Sequence, residues 1–537
     1  MATLLTAVVS MAAAPAPAAA AGGWHVAELP GAAAPRAAVA DASGGFTLLT
    51  SGRSPHRWSW PLGAVRPSAS ALAAPAPPDY FETPWVANSH GDALAIELLD
   101  AAAFRVAAVD ANGASSATNV SGYRDLQRLP ADVGEDGTAA VASELEDGAA
   151  FALSVRPPGG QWGPAGVVRG VDFIDAFALR VLADGTVAVV FANAGRVFLT
   201  HVRAGAEPEA PVAIASARGL AFDSNLMIAA GGDRVVVEEH FGGPQQRRLV
   251  ALHRQAGTWT PARVLRTTDS FTAPAAKLAQ APDGRALLVA FDGRDLLAWR
   301  SAPGAAFGAP VRIARVKRGW KAADLAIDQA PSGDATIAWS ENTDEDTEPS
   351  SGACEGPCHA RVRALQGTAA GRFGAPVVVS PLGTANLGRH IFTAIDASGE
   401  RLLAWEADRT NAIGKVVIAR GARGPDLPAP ADTKAPRLTA RVSTLRQGRF
   451  GMKLGCGERC AVAVSLLPPG DSPEQTFISD LPIAMVNRPR TVNWRLTASQ
   501  RHDLRVLLDL GSVTVFVNAV DAAGNKRTRL ISAASPE

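Results

Sequence analysis

The chain has 537 residues, of which 47% are hydrophobic and 19% charged, and its formal net charge is +1. This length exceeds one ordinary hydrophobic core, so two or more domains are expected, and the apolar content excludes a disordered chain. Charges of both signs are scattered along the sequence, and no basic field predicts a nucleic-acid partner.

The first 21 residues predict a secretory signal peptide. They contain a short apolar core over Leu4–Ala14 and an Ala-x-Ala end at Ala18–Ala20. No Lys or Arg lies near the start, so an upstream start and an uncleaved anchor stay open as alternatives. Pro15 and Pro17 disfavour a spanning helix, and no later apolar run is long enough to cross a bilayer. We therefore expect a secreted or cell-surface protein with no membrane span after signal removal.

A repeat follows the signal segment. Its marker is a glycine after a short polar step, found at Gly45, Gly91, Gly137, Gly185, Gly232, Gly284, Gly333 and Gly399. The separations are 46, 46, 48, 47, 52, 49 and 66 residues, a period typical of propellers and arrays. Alternating apolar and polar residues, with Asp-Gly and Ser-Gly turns, predict antiparallel hairpins within each unit.

The repeat unit predicts four strands, which is one propeller blade. Its fourth strand begins with Gly, then Trp or Phe, as in "AGTWTPARVL" at 256–265. The last unit lacks this strand, whereas the mature chain begins with "GGWHVAELPG" at 22–31. We therefore predict an all-β fold with a propeller over 22–425, in which the N-terminal strand closes the last blade and buries Trp24 beside 416–418. About eight blades are expected, with seven or six left open.

The propeller resembles secreted bacterial β-propellers of the sialidase, or BNR-repeat, type. In "VRPPGGQW" the glycine and aromatic residue of that family's Asp-box are present as Gly159 and Trp162, whereas Val155 and Pro157 occupy its Ser and Asp positions. The resemblance implies a tyrosine nucleophile for an enzyme of this family. The two tyrosines, Tyr80 and Tyr123, lie outside any family motif and are expected to be ordinary packed rings.

The sequence changes texture after residue 425. A Pro-rich linker at 426–435 is followed by short alternating stretches that end in "VTVFVNAVDAAGNKRTRLIS" at 513–532. The closing strand and its "VDAAGN" turn are similar to bacterial Ig-like domains, so we predict an Ig-like β-sandwich of seven strands over 436–537. Such domains act as spacers or attachment modules.

Four cysteines fall in two close pairs. Cys354 and Cys358 lie in "CEGPC", and Cys456 and Cys460 lie in "CGERC". In an exported chain these pairs predict two disulfides. A single metal site with all four thiolates is the alternative, and it would require two domains to converge.

Carboxylates supply the remaining candidates for chemistry. Glu144 with Glu146, and Glu238 with Glu239, are close enough in sequence to test as acid/base pairs of a hydrolase. The acidic run at 341–348 offers oxygen ligands of the kind calcium takes, but it lacks EF-hand spacing, and a solvated insertion is the expected reading. No cofactor, no metal and no catalytic residue is otherwise predicted.

These observations predict an exported, non-catalytic β-propeller, expected to be a monomer, that binds an extracellular glycan or protein. A secreted sialidase-like glycoside hydrolase and a purely structural cell-surface protein are the alternatives. An Arg, Tyr and Asp/Glu cluster at the narrow end of the central funnel would favour the enzyme, because a glycosidase needs its acid, nucleophile and clamp as a set.

Overall fold

The computed structural model describes residues 24–534 except for 30–31, 33, 52–54, 63, 65–66, 73–84, 101–102, 112–114, 122–129, 146–149, 170–173, 194, 217–224, 242–245, 269–274, 343–359, 381–390, 408–414, 422–434, 447–448, 459, 468–480, 482–483, 487, 510–511 and 522–525.

The first strand, β1, covers Trp24–Leu29, and a series of antiparallel sheets, the blades, follows it; each has four strands except blade 5, which has a fifth short strand. Blades 1 to 4 are built from β2 (Ala34–Ala40), β3 (Phe46–Ser51), β4 (His56–Trp60) and β5 (Ser68–Ala71); β6 (Val86–Ala87), β7 (Ala93–Asp100), β8 (Ala103–Val109) and β9 (Ser115–Ser121); β10 (Ala131–Val133), β11 (Ala139–Glu144), β12 (Ala150–Arg156) and β13 (Gly166–Arg169); β14 (Ile174–Val181), β15 (Val187–Asn193), β16 (Arg196–Val202) and β17 (Val212–Ser216).

Blades 5 to 8 repeat the pattern. They are built from β18 (Asn225–Ile228), β19 (Arg234–Phe241), β20 (Gln246–Gln255), the short β21 (Thr258–Trp259) and β22 (Arg263–Thr268); β23 (Lys277–Gln280), β24 (Ala286–Asp292), β25 (Asp295–Ser301) and β26 (Val311–Arg315); β27 (Lys321–Gln329), β28 (Ala335–Asn342), β29 (Ala360–Gly367) and β30 (Val377–Val378); β31 (Phe392–Ile395), β32 (Arg401–Ala407) and β33 (Lys415–Gly421).

The N-terminal strand closes the ring, as predicted. Blade 8 has the order β1-β33-β32-β31, and β1 pairs with β33 from Trp24 opposite Gly421 to Leu29 opposite Val416. The Trp24 side chain is 1% exposed. The first strands of neighbouring blades contact one another around the ring, and β31 of blade 8 contacts β2 of blade 1. The described residues thus form an eight-bladed propeller, and the alternatives of six or seven blades are wrong.

The core lies between the blades. One cluster joins Leu287 and Phe291 of blade 6 to Ile337 and Trp339 of blade 7, all buried. A strand with apolar residues on both faces can be covered only if a second sheet packs on each side, which the ring provides for every blade.

The turn between the first and second strand is the same in each blade. Its glycine has a positive φ, which glycine adopts without steric cost, and its amide donates to the carbonyl three residues earlier. These glycines are Gly44, Gly91, Gly137, Gly185, Gly232, Gly284, Gly333 and Gly399. Seven match the glycines read from the sequence, and in blade 1 the turn uses Gly44 (φ 87°) rather than Gly45.

The C-terminal part is a sandwich of two sheets. One sheet has the order β34-β35-β38 and the other β37-β36-β39-β40, and their facing side chains form one core. The elements are β34 (Leu438–Arg446), β35 (Arg449–Cys456), β36 (Cys460–Leu467), β37 (Ala484–Val486), β38 (Arg490–Arg495), α1 (Ala498–Asp509), β39 (Ser512–Asp521) and β40 (Lys526–Ala534).

Two local features of the sandwich bear on the sequence analysis. A disulfide joins Cys456 at the end of β35 to Cys460 at the start of β36, with Cα atoms 6.3 Å apart. The second predicted pair, Cys354 and Cys358, lies outside the described residues, as does the segment 1–21. The helix α1 lies between β38 and β39 and buries Leu504 and Leu507. Within the described ranges, no helix has the length and apolar character needed to cross a membrane.

Candidate functional site

The propeller has two unlike faces. Because the strands of a blade are antiparallel, the connections from first to second strand all lie on one face, and those from second to third strand lie on the other. We call these the turn face and the loop face. On the turn face the first connection is five residues long in each of the eight blades, as at 182–186 and 281–285. On the loop face the connection from second to third strand varies in length from two residues, at 293–294, to seventeen residues, at 343–359. The widest variation in connection length is therefore on the loop face.

Glu238 and Glu239 do not form an acid/base pair. They are neighbours on β19, so their side chains project to opposite sides of the strand, and each is 1% exposed. A Glu238 carboxylate oxygen accepts a 2.7 Å hydrogen bond from Arg247 Nη1, whereas Glu239 accepts one from Arg248 Nε at 2.5 Å. Both carboxylates are thus held in ion pairs, and they cannot share one substrate. Glu144 ends β11, and its predicted partner Glu146 lies outside the described residues.

Glu341, the first carboxylate of the predicted acidic run, accepts four hydrogen bonds. Its Oε2 accepts from Arg361 Nε at 2.9 Å and Nη2 at 2.6 Å, and its Oε1 accepts from Arg363 Nη1 at 3.0 Å and Trp339 Nε1 at 2.6 Å. The Arg361 guanidinium in turn lies 4.1 Å from the ring centre of Trp320. Glu341 therefore offers no free oxygen to a cation.

The expected solvated insertion, and calcium binding as its alternative, both stay untested over the rest of the run, because 343–350 lies outside the described residues. Among the residues that the structure describes, no group of three or more His, Cys, Asp or Glu is placed to hold a metal ion. Tyr80 and Tyr123 also lie outside those residues, so the structure does not place the tyrosines expected of a sialidase-like site.

Carboxylates on the inner strands hold neighbouring blades together. Asp328 of β27 accepts the backbone N–H of Ile395 in β31 at 2.9 Å, and Asp324 accepts that of Ile391 at 2.8 Å. In the same way Asp132 of β10 accepts the N–H of the last residue of β14 at 2.8 Å. These side chains satisfy backbone donors at the inner edge of the next blade, where a strand has no further neighbour. They were missed in the sequence because their partners are 49 or 67 residues away.

Asp328 gives the propeller an unusual pH dependence. Burial raises the pKa of Asp328 from 3.8 to about 6, against the opposing effect of the Ile395 and Gln329 N–H groups. A raised pKa in the folded state stabilises the fold fully below 3.8, and this stabilisation is lost as the pH rises through about 6. The wild type and Asp328→Asn differ in free energy of unfolding, and this difference (wild type minus variant) should therefore fall by up to about 3 kcal/mol between pH 4 and pH 8.

Denaturant titrations of both proteins across this pH range measure the difference. The matched control is Asp184→Asn, because the Thr186 backbone N–H and hydroxyl lower the pKa of this exposed turn carboxylate. The difference in free energy of unfolding between the wild type and Asp184→Asn should change only in acid, where it should rise with pH. If the corresponding difference for Asp328→Asn is independent of pH, or rises with pH, the pKa of Asp328 is not raised by burial.

A small cavity lies between blades 5 and 6, on the outer part of the ring. It measures about 110 Å³ and is lined in part by His253, Thr260, Arg263 and Phe307. Its polar groups are already engaged, since Thr260 Oγ1 lies 2.9 Å from His253 Nδ1 and Arg263 Nη1 donates to the Phe307 carbonyl at 2.8 Å. This volume has room for only a few water molecules.

Comparisons with known proteins find similarities among solved structures. No protein-family model matches it, and no curated protein matches it. Among solved structures, it is similar to the BP39L lectin of Burkholderia pseudomallei, with 13% identity and a TM-score of 0.42 over 64% of this chain and 98% of the other. It is also similar to the β-propeller domain of the Trilobed protease of Pyrococcus furiosus, with 9% identity and a TM-score of 0.36 over 65% and 98%.

A third similar structure is YCF48 bound to D1 peptide, with 11% identity and a TM-score of 0.37 over 76% of this chain and 99% of that one. No ligand or activity passes from these proteins to this chain at such values. The molecule is a closed eight-bladed β-propeller followed by a β-sandwich.

Proposed function

We propose that the chain is an exported, non-catalytic binding propeller that takes an extracellular glycan or protein on its loop face. The observation that carries the proposal is the difference between the two faces. The turn face repeats a five-residue turn with the same hydrogen bond in eight blades, and its third-to-fourth strand connections span five to nine residues, whereas the second-to-third strand connections of the loop face span two to seventeen residues. A repeat scaffold whose loops vary mainly on one face is suited to binding through that face.

The state of the buried carboxylates supports binding over hydrolysis. A retaining glycosidase needs two carboxyl groups about 5–5.5 Å apart with access to the substrate. Glu238, Glu239 and Glu341 are all buried, and each is held by at least one arginine. Their charges stabilise the blades that contain them, and a substrate cannot approach them without breaking these ion pairs.

The Ig-like character of the sandwich belongs to the same proposal. The first, second and fifth strands form one sheet, and the third, sixth and seventh lie together in the other. Ig constant domains share this arrangement, but their fourth strand pairs with the fifth, whereas here β37 pairs with β36. The fourth strand lies at a sheet edge in both arrangements, which supports an Ig-like sandwich in which one edge strand has changed sheets.

The test compares one change on each face. In the loop-face variant, 343–359 is replaced by the Gly293-Arg294 connection of blade 6; in the turn-face control, 182–186 is exchanged for 281–285, which keeps the turn geometry. We expect the full-length protein to be retained on a cell-surface glycan or protein array, and the loop-face variant alone to lose this retention. Both should keep the wild-type melting temperature within a few degrees.

Hydrolysis is measured on the same proteins with chromogenic sialosides and aryl glycosides, and none is expected. Turnover that disappears in Tyr80→Phe or Tyr123→Phe would replace the proposal with the sialidase-like enzyme. Equal retention of both face variants would exclude the 343–359 segment of the loop face from the binding surface. If the wild type neither binds nor hydrolyses, the structural alternative is favoured.

A further inference from the structure

The three-stranded sheet of the sandwich has a strongly cationic outer surface. Along β34, β35 and β38 the side chains alternate between the core, as with Phe450 and Trp494, and solvent. The positions on the outer side of this sheet define what we call the basic face, and all of them are exposed except the two glycines: Arg437, Thr439, Arg441, Ser443, Arg449, Gly451, Lys453, Gly455, Thr491, Asn493 and Arg495. Five of these described positions are cationic and none is acidic.

The charge is a property of this domain and not of the whole chain. Residues 436–537 contain 14 Lys and Arg against 8 Asp and Glu, a net charge of +6, which leaves −5 for residues 1–435. Such an asymmetry between two parts of one chain is typical of a part that meets an anionic partner. The basic face concentrates this charge on one side of one sheet.

Two pairs of cations lie directly opposite each other on neighbouring strands of the sheet, where their repulsion destabilises it. Arg441 is directly opposite Lys453, and Arg449 is directly opposite Arg495. Like charges at directly opposed positions destabilise an antiparallel pair. All four side chains are exposed, so an uncharged residue would have been tolerated at each position. Their charge therefore has a cost in the isolated domain that a bound anion would offset.

Among the described residues of the basic face, only small polar side chains and a glycine lie between the two cationic pairs. Gly451 and Gly455 occupy its central strand, and a Cβ at Gly455 would lie 2.5 Å from Thr439 Oγ1, while one at Gly451 would overlap Asn493 Oδ1. Arg449 and Lys453 are four residues apart on one strand, so the two cationic pairs are separated by about 14 Å. A long, extended anion can cross both pairs at once.

The remaining chemistry of the basic face selects among anionic polymers. The described face has Thr, Ser and Asn between its cations and no aromatic or large apolar side chain. It therefore lacks stacking platforms for single-stranded nucleic acid and apolar groups for insertion into a membrane. Guanidinium groups bind carboxylates in a bidentate manner, and hydroxyl and amide side chains bind sugar hydroxyls.

We propose that the basic face binds a carboxylate-bearing acidic polysaccharide and thereby attaches the protein to a surface that carries one. This binding is separate from that of the propeller, and it uses a different domain and different residues. It makes the sandwich a second binding module and not a passive spacer.

The experiment uses the full-length protein and immobilised polygalacturonate, with its methyl-esterified form as the uncharged control. The basic-face variant is Arg441→Gln, Arg449→Gln, Lys453→Gln and Arg495→Gln together. The matched variant removes four arginines elsewhere on the sandwich: Arg501→Gln, Arg505→Gln, Arg527→Gln and Arg529→Gln. We expect the basic-face variant to bind at least about tenfold more weakly, and the matched variant less than about twofold more weakly.

Melting curves separate a binding role from a structural one. Since the variant removes two like-charge pairs, its melting temperature should equal or exceed that of the wild type. No binding of the wild type to polygalacturonate, equal losses in both variants, or equal binding to the esterified polymer would overturn the proposal. So would a preference for duplex DNA or anionic vesicles that the basic-face variant loses. None of these outcomes bears on retention by the loop face, which the loop-face variant measures separately.

Discussion

A chain that begins at Pro35 should lose most of the stability of its propeller. This truncation removes β1, and with it the buried side chains of Trp24 and Val26, which pack with blades 7 and 8, and of Leu29, which packs with blades 8 and 1. It also leaves β33 as an unpaired edge strand and unlinks the first blade from the last. Thermal and denaturant unfolding of the truncated and full-length chains measure the loss.

The point variant Trp24→Ala isolates the aromatic contact. Replacement of a buried tryptophan by alanine costs about 3–5 kcal/mol. The Trp24 ring lies over Gly421, where an added Cβ would approach its carbons to 2.9 Å, and the Arg401 guanidinium lies 4.5 Å from its ring centre. Gly421→Ala should therefore destabilise the wild type, but should cost much less in the Trp24→Ala background, because the ring that it would displace is absent.

Trp162→Ala is the matched control for ring closure. Trp162 precedes the fourth strand of blade 3 in the same motif, but it is partly exposed and β13 stays in place without it. Trp162→Ala should therefore lower the free energy of unfolding clearly less than Trp24→Ala does. If the chain starting at Pro35 melts at the temperature of the full-length protein, the N-terminal strand does not hold the ring closed.

The closure and the blade pattern were predictable because they depend on local signals. The segments "GGQW" and "AGTW" precede the fourth strand in blades 3 and 5, and the sequence after Gly421 has no such segment, which left the segment at Trp24 to complete the last blade. Blade 1 shows the limit of this reasoning. Two adjacent glycines, Gly44 and Gly45, fit the turn equally well in sequence, and only the hydrogen bonds of the folded turn identify Gly44.

The contacts between blades were not predictable in the same way. Asp328 bonds to a backbone donor in the next blade, and no sequence pattern marks a backbone N–H as unpaired. Opposite charges on two strands of one hairpin are a weaker sequence signal for an ion pair. The segment "WSEN" at 339–342 pairs with "ARVR" at 360–363, so the sequence favoured Glu341 as an ion-pair partner over Glu341 as a calcium ligand.

Glu341→Ala is expected to be among the most damaging single substitutions in the propeller. It removes the carboxylate that accepts from Arg361, Arg363 and Trp339, and it leaves two cations whose side chains are only 4% and 16% exposed. Breaking a buried ion pair by removing one partner costs about 3–5 kcal/mol, because the remaining charge is uncompensated. Chemical denaturation at neutral pH measures the cost, and adding Arg361→Met should recover part of it.

Glu400→Ala is the matched control, since Glu400 makes one 2.8 Å ion pair with Arg420 and is 38% exposed, so its loss should cost about 1 kcal/mol or less.

The pH dependence of the Glu341→Ala effect gives an independent check. Burial alone would raise the pKa of Glu341, but Arg361, Arg363 and the Trp339 N–H together lower it below 4.5. The stabilisation is therefore complete above 4.5 and is lost as the pH falls through the lower value of the folded state. The difference in free energy of unfolding between the wild type and Glu341→Ala should therefore narrow in acid. Asp328 has the opposite pH dependence and stabilises the fold in acid. If the difference for Glu341→Ala widens in acid, Glu341 is not held as an anion.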